Sequence, residues 1–295
     1  MQEFLRIGTC SWKYDSWIGL IYTEAGRHNY LQEYSQHYST VEIDQWFWSL
    51  FDGKKPVLPN PKTVQEYVDA VPDHFEFTVK VPNSITLTHY YQSANGHSLQ
   101  ANPYFLSNDL FEAFLASLAP MHQQIGQLMF QFEYLNKQKM ADQLLFMQRF
   151  GDFIANCPAG FPYAIEIRNP HYLNEKYFAY LQSKNLAHVF LQGYYMPSIV
   201  NVFNQHKRHI EKNAIIRLHG PNRKQMEEMT GNQWSEIVAP RDAELSEIAR
   251  MVLEMIEKKI KIFFNVNNHY EGSAPKTIAR FEALLQKANA QDRKG

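Results

Sequence analysis

A chain of 295 residues with 29 basic and 30 acidic side chains has a formal net charge of −1, so it carries no global basic field to hold nucleic acid. No apolar run approaches the roughly 18 residues that a membrane span needs, and the opening residues lack the basic-then-apolar order of a secretion signal. The two cysteines, Cys10 and Cys157, are too few for a disulfide framework or a cysteine-rich zinc site, and a reduced, cytoplasmic protein is expected.

Apolar runs alternate with helical patterns along the whole chain. A strand is expected over residues 5–10 and a helical stretch over 27–38. A second strand, 40–44, precedes a helix that starts at Pro61, where the missing N–H costs little, and stops before Pro72. Strand three spans 75–81. Residues 109–118 carry apolar side chains at helical spacing, and strand four follows over 127–132. A helix within 141–155 leads to strand five at 163–168. A helix around 174–184 then leads to strand six at 187–192. The sixth crossover, near 198–209, has the weakest pattern. Strand seven at 214–219, a helix over 241–259, strand eight at 261–266 and a closing helix over 274–287 complete the series.

Eight βα units without a composition break predict one domain over 1–295, α/β in class, folded as a (β/α)8 TIM barrel with an irregular sixth unit. A doubly wound open sheet would show the same alternation. It would concentrate its polar groups at one switch point, however, whereas here they end strands all along the chain. Residues 82–108, rich in Ser, Thr, Asn, Tyr and His, are expected to form a long loop after strand three. With His89, Tyr90, Tyr91 and His97 it has the hydrogen-bonding groups of a lid.

Four strands end by alternating polar with apolar residues: Val41-Glu42-Ile43-Asp44, Ile165-Glu166-Ile167-Arg168, Ile216-Arg217-Leu218-His219 and Phe264-Asn265-Val266-Asn267. Successive strand side chains point to opposite faces, so the polar members of each share a face. In a barrel that face is the interior, and the strand C-termini are where the chemistry sits.

In order, Gly8-Thr9-Cys10-Ser11-Trp12 with Trp17, Thr40-Val41-Glu42-Ile43-Asp44 with Phe47, Phe77-Thr78-Val79-Lys80, Gln131, Glu166-Ile167-Arg168, Arg217-Leu218-His219-Gly220 and Phe264-Asn265 with Asn267-Asn268 form a motif series. Nearly the whole chain thereby resembles the YecE-like family, also called domain of unknown function 72. The resemblance implies a (β/α)8 barrel and a site at these positions, and no reaction. The chain departs from the family pattern at Asp44, where asparagine is usual, and at His171-Tyr172, where a tryptophan is usual. It departs again at Gln192, in place of an aspartate, and in the spacing of Asn265-Val266-Asn267-Asn268.

Glu42, Asp44 and Glu166 are candidate proton-transfer groups, because two carboxylates on one face push each other's pKa apart. Each could instead be the partner of a buried arginine, in a Glu42–Arg168 or Glu166–Arg217 bridge. His219 is a candidate proton carrier, though a lone histidine is more often a satisfied core residue. Arg168, Arg217 and Lys80 suit an anionic substrate group, against the alternative of salt bridges. Gln131, Asn265, Asn267 and Asn268 offer amides for hydroxyls, against the turn chemistry at which asparagine excels. Trp12, with Trp17, Trp46 and Trp48, could stack on a sugar or base, though at least two of the four should be core. Cys10 is read as a small buried apolar residue rather than a nucleophile.

Glu42, Asp44, Glu166 and His219 would be hard ligands for Mg, Mn or Zn, but three cations beside them disfavour a further cation. No metal or cofactor is therefore expected. The leading expectation is an enzyme acting on a polar or anionic small molecule, a sugar or nucleotide derivative, by acid–base hydrolysis or lyase-type chemistry. The runner-up is a nucleic-acid binding or repair barrel with a metal-assisted site, and the third is a non-catalytic metabolite-binding barrel.

Overall fold

The computed structural model describes residues 3–23, 29–50, 55–90 and 99–292. Eight strands, β1 (Leu5–Thr9), β2 (Thr40–Ile43), β3 (Glu76–Lys80), β4 (Ile125–Phe132), β5 (Tyr163–Ile167), β6 (Ala187–Gly193), β7 (Asn213–Gly220) and β8 (Lys261–Val266), pair in parallel and in sequence order. β1 closes the ring on β8, so the protein is the expected (β/α)8 barrel. Helices α1 (Tyr30–Tyr34), α2 (Pro61–Asp69), α3 (Asn83–Thr86), α4 (Asn108–Ser117), α5 (Gln143–Ala155), α6 (Glu175–Ser183), α7 (Ile199–His206), α8 (Arg223–Thr230), α9 (Asp242–Glu257) and α10 (Ala274–Asp292) fill the crossovers. Among the described residues no helix is long and apolar enough to cross a membrane.

Alternation at the strand ends divides the two faces. Val41, Ile43, Ile165, Ile167, Ile216, Leu218, Phe264 and Val266 point outward and are at most 1% exposed beneath the helices. Phe264, for example, stacks on Phe281 of α10 with ring centroids 4.1 Å apart. Inside, Met129, Ala164, Ala187, Val189, Ile215 and Phe263 make a separate apolar plug. Below it, Glu76 is held by Arg6 at 2.7 Å and Lys261 at 2.5 Å, closing the N-terminal end of the barrel. The helix starts are fixed locally. Asn60, Ser107, Asp142, Asn174 and Asn222 each accept a backbone N–H of the first turn they precede, and Pro61 opens α2.

The structure corrects several expectations. The helix expected over 27–38 is the short α1, with residues 24–28 outside the described part. The sixth crossover carries the helix α7, and the irregularity of this unit lies in the β6–β7 register shift at Gly193. Ile199, Val202, Phe203 and His206 bury one face of α7, a stripe that its interspersed asparagines and glutamine obscured in the sequence. Helix α8 was not foreseen, because only Met226 is buried and a polar helix on the barrel rim leaves no apolar period.

Residues 82–108 are not loop throughout. Residues 82–88 are buried and include α3. Asn83 Oδ1 accepts the N–H groups of Ser49 and Leu50, each at 2.9 Å, and Asn102 Nδ2 donates to the carbonyls of Ser84 (2.8 Å) and Leu87 (2.6 Å). Side-chain amides satisfying backbone groups let residues 82–88 be buried, with Asn102 buried beneath them. Tyr91 and His97 lie outside the described residues.

Candidate functional site at the barrel mouth

The inward polar residues meet above the apolar plug. Arg217 on β7, fully buried, is their centre. Its Nε and Nη2 donate to the two carboxylate oxygens of Glu42 on β2, both at 2.7 Å, and Nη1 donates to Glu166 Oε2 on β5 and to Gln131 Oε1 at 3.3 Å. Lys80 at the end of β3 adds a 3.0 Å ion pair to Glu42 Oε1, and Arg168 Nε donates to Glu166 Oε1 at 2.8 Å. Three cations thus share two buried carboxylates. Both bridges considered from the sequence involve these residues, but Arg217 spans both glutamates and Arg168 pairs with Glu166 rather than Glu42.

Electrostatics separate the carboxylates. Burial alone would raise Glu42 and Glu166, yet Arg217, with Lys80 on Glu42 and Arg168 on Glu166, outweighs it. Both stay below the ordinary carboxylate range, Glu166 at about 2. Asp44 lies two residues beyond Glu42 on the same face. Burial raises its carboxyl, with Lys80 opposing and the Glu42 charge adding to the rise. Among the described residues it has no ion pair within 4 Å.

His219, two residues past Arg217, places Nε2 3.6 Å from Cys10 Sγ and Nδ1 3.3 Å from Tyr194 Oη. Burial, then the charges of Arg217, Lys80 and Arg168, push its imidazole well below the usual range, so it is neutral. Burial and Glu42 likewise push the Cys10 thiol up, which keeps it protonated and a poor nucleophile.

A cavity of about 310 Å³ opens over this layer, lined by Cys10, Glu42, Asp44, Lys80, Gln131, Arg168, Arg217, His219 and Asn267, with Phe47, Trp48, Leu87, Glu133, Tyr194, Arg223 and His269 on its walls. A larger cavity of about 490 Å³ lies at the opposite end of the barrel, against Arg6, His37, Tyr38 and Glu282, away from these groups. The mouth cavity is the one on which polar side chains from several strand ends converge, and such convergence marks a site better than size does.

The remaining sequence candidates are placed as follows. Asn265 is fully buried beneath the Arg217 layer and donates to Thr78 Oγ1 at 3.4 Å. Asn267 is at the wall, its Oδ1 accepting the His269 N–H at 2.9 Å. Asn268 Oδ1 accepts the Ala274 N–H at 2.8 Å, tying down the start of α10. Trp12 packs edge-on against Tyr67, 5.2 Å between centroids, inside the core, and Trp17 is also core. Of the four tryptophans singled out, Trp48 lines the cavity. Gln192 turns outward, where its Oε1 accepts the first N–H of α7 and its Nε2 donates to Glu244. Among the described residues no three His, Cys, Asp or Glu side chains are arranged to hold a metal ion. The oxygens of Glu42 and Glu166 are already engaged by cations.

Tyr194 was missed. It follows an irregularity where β6 and β7 shift register at Gly193, and it has φ of 53°. A Cβ on Gly193 (φ 141°) would stand 2.3 Å from the Gly220 carbonyl, so only two glycines in contact allow the backbones to approach this closely. The resulting turn lays the Tyr194 ring under Arg168, whose guanidinium is 5.1 Å from the ring centroid. The Gly193-Tyr194 and His219-Gly220 pairs were the signal, one on each neighbouring strand.

Residues 6–294 match the family described as "Protein of unknown function DUF72". The chain is 24% identical over 262 residues to the UPF0759 protein YunF of Bacillus subtilis (strain 168), covering 83% of this chain and 82% of that one. Crystal structures of two DUF72 family proteins share the fold. One, from Enterococcus faecalis V583, has a TM-score of 0.67 at 19% identity, covering 96% of this chain and 95% of that one. The other, from Thermotoga maritima MSB8, has a TM-score of 0.66 at 16% identity, covering 96% and 99%. With a family model spanning nearly its whole length, the chain belongs to the DUF72 family.

Proposed function

We propose that the protein is an enzyme of hydrolase or lyase type acting on a small anionic, polar molecule, a sugar or nucleotide derivative, at the mouth of the barrel. The observation that carries this reading is the divergence of the three carboxylates. Glu42 and Glu166 are held ionised and serve to fix Arg217 and Arg168, whereas Asp44 is raised and faces the cavity. Groups whose surroundings push their pKa values apart mark the acid–base assignment. Asp44 is therefore the proton-transfer group, and the roles first considered for Glu42 and Glu166 become electrostatic.

Arg168 and Lys80 hold the negative group. Arg168 spends only Nε on Glu166, and among the described residues its two terminal nitrogens have no hydrogen-bond partner, leaving a fork suited to an anion. Gln131, Asn267 and Tyr194 reach substrate hydroxyls. Burial, and then the same cations that attract the substrate, depress His219, so a bound anion raises its proton affinity.

The test incubates the purified protein with sugar phosphates, sugar acids and nucleotides and follows products by mass spectrometry. Turnover lost in Asp44→Asn with the fold intact supports the reading. Turnover that survives Asp44→Asn removes Asp44 from the chemistry. A ligand retained but unchanged over long incubation makes the protein a binding barrel.

A further inference from the structure

Three of the large apolar side chains exposed among the described residues are aromatic: Trp48 (58%), Tyr134 (46%) and Tyr195 (60%). All three stand on loops at the strand C-termini, after β2, β4 and β6. Trp48 lines the mouth cavity, and Tyr134 and Tyr195 directly follow the wall residues Glu133 and Tyr194. Their two rings meet edge to face at 6.3 Å. Below them lie the terminal nitrogens of Arg168, with Lys80 in the same cavity lining. The mouth thus has an anionic seat at depth and aromatic faces at the rim, in a cavity near the lower limit of ligand pockets.

We infer that the ligand is a ring-bearing phosphate monoester, a nucleoside or sugar monophosphate, with its phosphate on the Arg168 fork beside Lys80 and its ring against Trp48. This rests on the anionic reading above and adds the second seat. A phosphate offers Arg168 two oxygens at once, and a third toward Lys80. An aromatic face accepts a base or the apolar face of a sugar without reading its edge.

Calorimetric titration with adenosine monophosphate, glucose 6-phosphate, orthophosphate and adenosine tests it. At least one monoester should bind tenfold or more tighter than both orthophosphate and adenosine, and which monoester wins identifies the source of the ring. Trp48→Ala should weaken that monoester by about 5- to 150-fold, the span of one stacking contact, and leave orthophosphate unchanged. Arg168→Met should bring the monoester down to the affinity of its unphosphorylated form. Orthophosphate binding as tightly as both monoesters, or a Trp48→Ala variant that binds them unchanged, overturns the ring seat while the anionic reading stands. A protein that binds none of the phosphates overturns the phosphate seat, and one that binds neither these nor glucuronate overturns the anionic reading as well.

Discussion

Replacing Arg217 by methionine should be among the most damaging single changes in this protein. The guanidinium makes two 2.7 Å bonds to Glu42 and a further one to Glu166, and all three residues are fully buried. Removing one partner of a buried ion pair costs about 3–5 kcal/mol, because the charge left behind has neither water nor counterion. Two carboxylates are exposed to that penalty here. Lys80 stays on Glu42 at 3.0 Å and Arg168 on Glu166 at 2.8 Å, so the loss should remain near ~4 kcal/mol rather than double. Against a typical total of about 5–15 kcal/mol, that is a large fraction. Urea denaturation of the wild type and of Arg217→Met measures it. A loss below about 1 kcal/mol would refute the view that Arg217 clamps the two buried glutamates.

Four further outcomes are expected. Glu166 has its pKa depressed to about 2 in the folded protein, so its contribution to stability is complete above its unfolded value of about 4.5 and is lost as the pH falls through that window toward 2. Acid titration of Glu166→Gln should show a flatter stability profile between those limits. Asp44 has the opposite sign: its raised folded pKa means that the charged form opposes folding above that value, so Asp44→Asn should melt no lower than wild type at neutral pH while losing activity. Because a bound anion raises the proton affinity of both His219 and Asp44, ligand binding should take up protons. Calorimetry in buffers of different ionisation enthalpy reads this, and proton release on binding would contradict the site assignment. Gly220→Ala forces a Cβ to within 2.4 Å of the His269 carbonyl at φ of 74° and should cost on the order of 2 kcal/mol in a thermal melt, with a shifted His219 resonance.

Much of the fold was legible because parallel barrel strands obey a period of two that survives in one sequence. Val41, Ile43, Ile165, Ile167, Ile216 and Leu218 had to be buried outward, so Glu42, Glu166 and Arg217 had to face inward, and that alternation needs no knowledge of neighbours. The irregularities were less legible. Helix α8 buries one residue, and residues 82–88 are buried where Asn83 and Asn102 satisfy backbone groups far from them in sequence.

The sequence by itself determined the barrel, its inward polar set and the end at which that set gathers, since each follows from local periodicity and chain order. The tertiary structure alone decided which of those groups is locked and which is available. Glu42 and Arg217 are 175 residues apart, and their 2.7 Å contact turns a candidate acid into an anchored carboxylate. Asp44, two residues away from Glu42 and equally polar, escapes that contact and is raised instead. Tyr194 enters the site through two glycines on neighbouring strands. Charge–charge energies depend on distance and burial in three dimensions, and neither quantity is written in the spacing of a sequence.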